Sequence, residues 1–231
     1  MQTPILAPAK AYALWASTYP ARAHNPVMLT EERAMLALMP GNLDGITVLD
    51  AGCGSGRYML HACQRGAFRV TGVDLSPEML ERASEELSAC RSKADIELMQ
   101  GCLTALPVPD AWADITISGL AIGHVENLAS ALAEMSRVTR PGGLVLCSDV
   151  HPIGHALGWL RDFKHDGERY AARHIPHLYS RWHSACAAVG LSIEQVVEPM
   201  LDPADIPVGA HFDRAALEVP VALVFQLRRI P

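Results

Sequence analysis

The sequence predicts an α/β fold, a parallel sheet with helices packed on its faces, within 231 residues. Three observations predict it. From Ile46 onward, short β-branched runs alternate with amphipathic helical stretches, the rhythm of strands joined by crossover helices. A glycine-rich turn, Gly52 to Gly56, follows the first of those runs directly. The last two apolar runs have no helix between them, so they read as an antiparallel pair closing the sheet.

The elements follow in order. "ITVLD" (46–50) is the first strand, followed by a helix through "RYMLHACQRG". "FRVTGVDL" (68–75) is the second strand. The next helix opens with Ser76 as its cap, Pro77 at the first helical position and Glu78 in the first turn. Its residues Met79, Leu80, Ala83 and Leu87 keep helical spacing. "DIELMQG" (95–101) and "ADITISGL" (113–120) are the third and fourth strands. A helix, "NLASALAEMSRVTR", is expected to stop at "PGG" (141–143), before "LVLCSDV" as the fifth strand. "HLYSRWHSACAAVGL" reads as a helix ending at Gly190, followed by "LSIEQVVEP" and "VPVALVFQLRR" as the last two strands.

Composition narrows the function classes. Half the chain is apolar and 19% is charged, enough for a large core. A net charge of −6 lacks the basic footprint that phosphate backbones require, so no nucleic-acid partner is expected. No apolar run approaches the ~20 residues of a bilayer span, and "MQTPILAPAK" does not read as a signal peptide. The six cysteines are scattered without a Cys-x-x-Cys pair, as small core residues are. A cytoplasmic protein with reduced thiols and no membrane partner is expected. The organisation read from the chain is one domain: a cap (1–45), a cofactor-binding core (46–150), a lid insertion (151–176) and a C-terminal helix with strands (177–231).

The stretch "VLDAGCGSGRY" carries the first chemical signal. A dinucleotide fingerprint counted from Gly52 needs glycine at 57, where Arg57 stands. Asp50 closes the strand where a pyrophosphate would lie, and the like charges would repel. A cationic ligand reverses that objection. Asp74 ends the second strand, the place from which an acidic side chain reaches ribose hydroxyls. A nucleoside carrying an amino acid and a positive centre satisfies both carboxylates, and S-adenosyl-L-methionine is such a molecule.

"VLDAGCGSGRY", "VTGVDLSPEML", "ADITISGLAIGHVENLASALAEM" and "VTRPGGLVLCSD" together resemble the successive motifs of class I S-adenosylmethionine-dependent methyltransferases. They are closest to the small-molecule branch with the ubiquinone, menaquinone and biotin-pathway enzymes. The resemblance spans roughly residues 46–149. It implies a Rossmann-like, doubly wound sheet of seven strands in the order 3-2-1-4-5-7-6, with strand seven antiparallel. It implies that Asp50, Gly52 and Gly54 line the methionine part of the cofactor, that Asp74 takes the ribose hydroxyls and that Leu75 packs on adenine. The family's acidic residue after the third strand is replaced by Cys102, leaving Cys102, Leu103 and local backbone as adenine contacts. Ser118, Gly119 and Leu120 are expected to face the sulfonium and the substrate.

The acceptor end is less sharply marked. Methyl transfer is an in-line displacement that needs a base only when the acceptor loses a proton. Candidate bases are His151, with the best position after the fifth strand, then His174 and His177, and His124 after the fourth strand. No metal is expected: His151 and His155 are i,i+4 apart, but Pro152 and Gly154 between them disfavour a helix. Tyr12, Trp15 and Tyr19 have helical spacing and read as one packed face; the resemblance implies instead that Tyr12 and Tyr19 cap the cofactor, with His24 and Asn25 completing the cap. Arg169 and Arg173 read as contacts to an acidic substrate or as exposed lid residues. The expected function is methylation of a small-molecule oxygen or nitrogen, carbon less so, by a monomer or homodimer. Carboxyl methylation of a carrier-bound acyl group and a non-catalytic, cofactor-binding subunit are the alternatives.

Overall fold

The computed structural model describes residues 3–20, 22–206 and 214–231. In chain order the elements are β1 (Ile5–Leu6), α1 (Pro8–Trp15), α2 (Pro26–Leu38), β2 (Thr47–Ala51), α3 (Arg57–Gln64), β3 (Arg69–Asp74), α4 (Pro77–Ser88), β4 (Asp95–Gln100), β5 (Ala113–Gly119), α5 (Leu128–Val138), β6 (Thr139–Val150), α6 (Pro152–Ala156), β7 (Arg161–His165), β8 (Glu168–Ala172), α7 (Tyr179–Ala188), β9 (Leu191–Val197) and β10 (Ala222–Arg229).

A seven-stranded sheet runs β4-β3-β2-β5-β6-β10-β9, with β10 antiparallel to both neighbours. Counted along these strands alone, that is the order 3-2-1-4-5-7-6. Alternation along each strand divides the core between two faces. Val48, Val70, Ile117, Leu146 and Val224 pack with Met35 and Met59 on one side. Leu49, Val73, Val145 and Phe225 pack on the other, where Trp182 stacks on Phe225 at 4.4 Å between centroids.

Helix starts follow local chemistry. Ser76 Oγ accepts the Met79 N–H at 3.3 Å and opens α4. Asn25 Oδ1 accepts the Met28 N–H at 2.9 Å, so α2 begins at Pro26. Two expectations are corrected. Helix α5 ends at Val138, and Pro141 to Gly143 lie inside β6, where the pairing with β5 shifts register. Residues 152–156 do form a short helix after His151. Proline at the first helical position needs no N–H partner, and His151 Nδ1 accepts the Ile153 N–H at 3.2 Å.

The N-terminal segment and the insertion after β6 form one structure. Strands β7 and β8 make an antiparallel hairpin across Asp166 and Gly167, both at positive φ, the two-residue turn that suits strand twist. Strand β1 adds to β8 in parallel and completes a three-stranded sheet. Trp15 stacks on Phe163 with centroids 4.8 Å apart, tying α1 to the hairpin. Among the described residues no helix is long and apolar enough to cross a membrane.

Candidate active site

A cavity of 570 Å³ opens at the carboxyl ends of the parallel strands, beneath this cap, the place where open α/β sheets bind ligands. The strand edge contributes Asp50, Gly52, Gly54, Asp74, Leu75, Cys102 and Leu103; the loop after β5 contributes Gly119 and His124; the cap contributes Tyr12, Tyr19 and Arg161.

Asp50 is 1% exposed, and among the described residues no well-formed hydrogen bond reaches either carboxylate oxygen, although the Met59 N–H lies close enough to favour its charge. Burial pushes its pKa up to about 7; the Asp74 charge adds to the rise and Arg57 opposes it. A buried carboxylate without a partner is costly, and a bound cation would restore its charge. Asp74 accepts the Gly54 N–H through Oδ2 and the Ser76 N–H through Oδ1, both at 2.9 Å. These bonds shape the glycine turn and leave a further lone pair on each oxygen. Burial raises the Asp74 pKa, and the backbone amides of Ser76, Gly54 and Leu75 pull against it. Gly52 has φ +78°, and a Cβ there would stand 2.6 Å from Ala121, so only glycine leaves this wall open.

Beneath the glycine turn, fully buried Glu31 accepts from Tyr58 Oη at 2.7 Å, from Arg57 Nη2 at 2.9 Å and from the Ser148 hydroxyl. This pins α2 to the start of α3 and to β6. The Tyr58 ring it holds lies so close to Gly119 that a Cβ at 119 would be 2.2 Å away.

His124 has a defined proton arrangement. Its Nδ1 lies 2.8 Å from the Arg173 carbonyl, which can only accept, so Nδ1 carries the proton. Nε2 then accepts the Tyr12 O–H at 2.8 Å, and Tyr12 Oη accepts Arg161 Nε at 2.5 Å. Burial, with the Arg161 charge, lowers the His124 pKa to about 4. The neutral form is thus favoured in the native protein. Stability from His124 is present above the unfolded pKa near 6.5 and is lost as pH falls through about 4. We expect this side chain to account for about 2 kcal/mol of acid destabilisation, allowing for its partial exposure. Melting curves between pH 7 and pH 4 should show a shallower decline in His124→Gln.

The remaining histidine candidates hold loops. His151 caps α6, and its Nε2 lies 3.1 Å from Glu198. His174 Nε2 bonds Asp149 at 2.9 Å, and His177 Nε2 donates to the Val125 carbonyl at 2.9 Å. Of the four, His124 lines the cavity. Ser118 is fully buried inside β5 and does not face the site as expected, because strand alternation turns it inward while Gly119 meets the cavity. Leu75 is 48% exposed at the cavity wall, and Cys102 Sγ sits 3.3 Å from Thr104 Oγ1. Asn25 is spent on α2, while His24 packs edge-on against Trp15 and Tyr19. Arg169 and Arg173 are exposed and pair with Asp162 and Glu126. Of the arginines on the insertion after β6, Arg161 reaches the cavity, and the sequence analysis does not single it out. The Asp-Gly turn at 166–167 was the available signal. It makes 161–172 a hairpin in which Arg161 shares a face with Phe163, and Phe163 is buried against Trp15.

Residues 49–147 match a family described as a methyltransferase domain. The chain is 40% identical over 181 residues to the malonyl-[acyl-carrier protein] O-methyltransferase of Erwinia billingiae, covering 73% of this chain and 68% of that protein. The chain belongs to the class I S-adenosylmethionine-dependent methyltransferases. To the enzyme of the same name from Pectobacterium atrosepticum it is 37% identical over 151 residues, 64% of this chain and 55% of that one. Among the first curated relatives it matches, the chain thus spans about half their length (55% and 53%). A solved S-adenosylmethionine-dependent methyltransferase from Mesorhizobium loti superposes with a TM-score of 0.69 at 26% identity, over 87% of this chain and 98% of that one. The methyl donor of these methyltransferases is S-adenosylmethionine, and the residues present fit it. Its ammonium suits the unpartnered Asp50 oxygens, and its ribose hydroxyls suit the free lone pairs of Asp74. The open wall at Gly52 and the exposed face of Leu75 suit its bulk.

Proposed function

We propose that the chain transfers the methyl group of S-adenosylmethionine to an oxygen or nitrogen of a small acceptor held beneath the cap. The observation that carries this reading is the single cavity that joins Asp50 and Asp74 to Arg161, Tyr12 and His124. When bound, S-adenosylmethionine supplies a methyl group on a positively charged sulfur. Asp50 would hold its ammonium, Asp74 its ribose hydroxyls, and Leu75 and Leu103 the adenine faces, with Cys102 beside them. The cap then has two tasks. Tyr12, Tyr19 and Arg161 exclude water, and together with His124 they orient the acceptor, since alignment dominates such displacements. The neutral His124 ring keeps Tyr12 oriented through Nε2 and reaches an acceptor proton through that hydroxyl. His151, His174 and His177 position loops in this scheme.

The relatives named malonyl-[acyl-carrier protein] O-methyltransferase favour a second reading, methylation of a carboxyl group on a carrier-bound acyl chain. The experiment pairs calorimetry with labelled turnover. S-adenosylhomocysteine should bind the purified protein, and labelled methyl should pass from S-adenosylmethionine into a metabolite extract or an acylated carrier protein. Absence of binding defeats the cofactor assignment; binding without any labelled product favours a non-catalytic subunit.

A further inference from the structure

We propose that Arg161, held in place by Tyr12 and joined by the Tyr19 hydroxyl, is the receptor for a carboxylate on the methyl acceptor. This deepens the reading above and rests on the cavity taking S-adenosylmethionine. The Arg161 charge is only partly satisfied by the protein. Its Nε donates to Tyr12 Oη at 2.5 Å and one Nη2 proton reaches Tyr19 Oη at 3.3 Å. Three of the five guanidinium N–H groups then remain without a protein partner among the described residues. No carboxylate of the described residues lies within ion-pair distance of it. The other arginine on the cavity wall, Arg57, is held by Glu31 and Glu32 at 2.9 and 3.1 Å. Arg161 is the charge left open.

Burial disfavours that charge; the two tyrosine oxygens and the more distant Asp149 charge offset the penalty, so the guanidinium stays protonated. A cation in such a position calls for an anion, and the planar fork of arginine matches a carboxylate with two parallel hydrogen bonds. The surroundings are preorganised for this. Phe163, two residues along the same strand face, is clamped by Trp15. Tyr12 is fixed on its other side by His124, whose Nδ1–H is anchored on the Arg173 carbonyl. The receptor therefore stands on the cap, next to the loop after β5, and not on the glycine turn that bears Asp50 and Asp74.

Two carboxylates enter such a cavity, the acceptor's and the one on the methionine part of the cofactor. Calorimetry separates them. Acetate, benzoate and succinate, each matched by its amide, are titrated into the protein saturated with S-adenosylhomocysteine. At least one acid should bind saturably while its amide does not. R161Q should weaken that binding about 100-fold and R161K about 10-fold, since lysine keeps the charge but loses the fork. S-adenosylhomocysteine affinity should change less than threefold in both variants. Absence of binding by all three acids, or equal binding of acid and amide, overturns the proposal. So does a tenfold loss of S-adenosylhomocysteine affinity in R161K, which assigns the anion to the cofactor. Failure of the unmodified protein to bind S-adenosylhomocysteine is a different result, and it strikes the cofactor reading itself.

Discussion

Replacing Glu31 with alanine is expected to lower the thermal midpoint by about 10 °C, the largest stability effect of any single change near the site. Glu31 is fully buried and accepts three hydrogen bonds, from Arg57, Tyr58 and Ser148. Its loss leaves the Tyr58 and Ser148 hydroxyls without their acceptor and the Arg57 guanidinium with Glu32 alone. Breaking such a buried pair from one side costs about 3–5 kcal/mol. Glu31→Gln keeps one acceptor oxygen and should lose roughly half as much. Arg57 begins the helix directly behind the glycine turn, so cofactor affinity should weaken alongside stability. Scanning calorimetry measures the first effect; a shift of less than about 3 °C would show that Glu32 takes over the Arg57 charge.

Asp74→Ala is expected to weaken S-adenosylhomocysteine binding about 100-fold, roughly 2.7 kcal/mol. Two contributions add in the same direction. The charge-assisted hydrogen bonds that the carboxylate accepts from the ribose hydroxyls in the proposed binding mode are lost, each worth about 1.5–3 kcal/mol. The Gly54 and Ser76 amides also lose their acceptor, which loosens the glycine turn itself. Asp74→Asn retains one amide contact and should cost about tenfold. Isothermal titration distinguishes these variants, and unchanged affinity in Asp74→Ala would remove Asp74 from the ribose site.

What the sequence disclosed follows the range of the interactions involved. Strands β2 to β6, the glycine turn and the two acidic residues at strand ends depend on local chemistry, periodicity and turn residues, and all were readable. The antiparallel close of β9 and β10 was readable because no crossover helix separates them. Nothing local in the sequence marks Glu31. Its burial depends on Arg57, Tyr58 and Ser148, which are 26, 27 and 117 residues away in the chain. The histidines after β6 looked like bases because of their position, and three of them are spent on loop geometry. The Asp-Gly turn marks the β7–β8 hairpin, and with it the inward face that carries Arg161.

The parallel pairing of Ile5–Leu6 with Ala171–Ala172 has a consequence for engineering. The two stretches that roof the cavity are far apart in sequence but share backbone hydrogen bonds, so neither swings without the other. A chimaera that exchanges residues 151–176 alone would meet a foreign edge at β1 and should lose its roof. The roof of this scaffold is a two-part cassette, to be exchanged as a matched set or not at all.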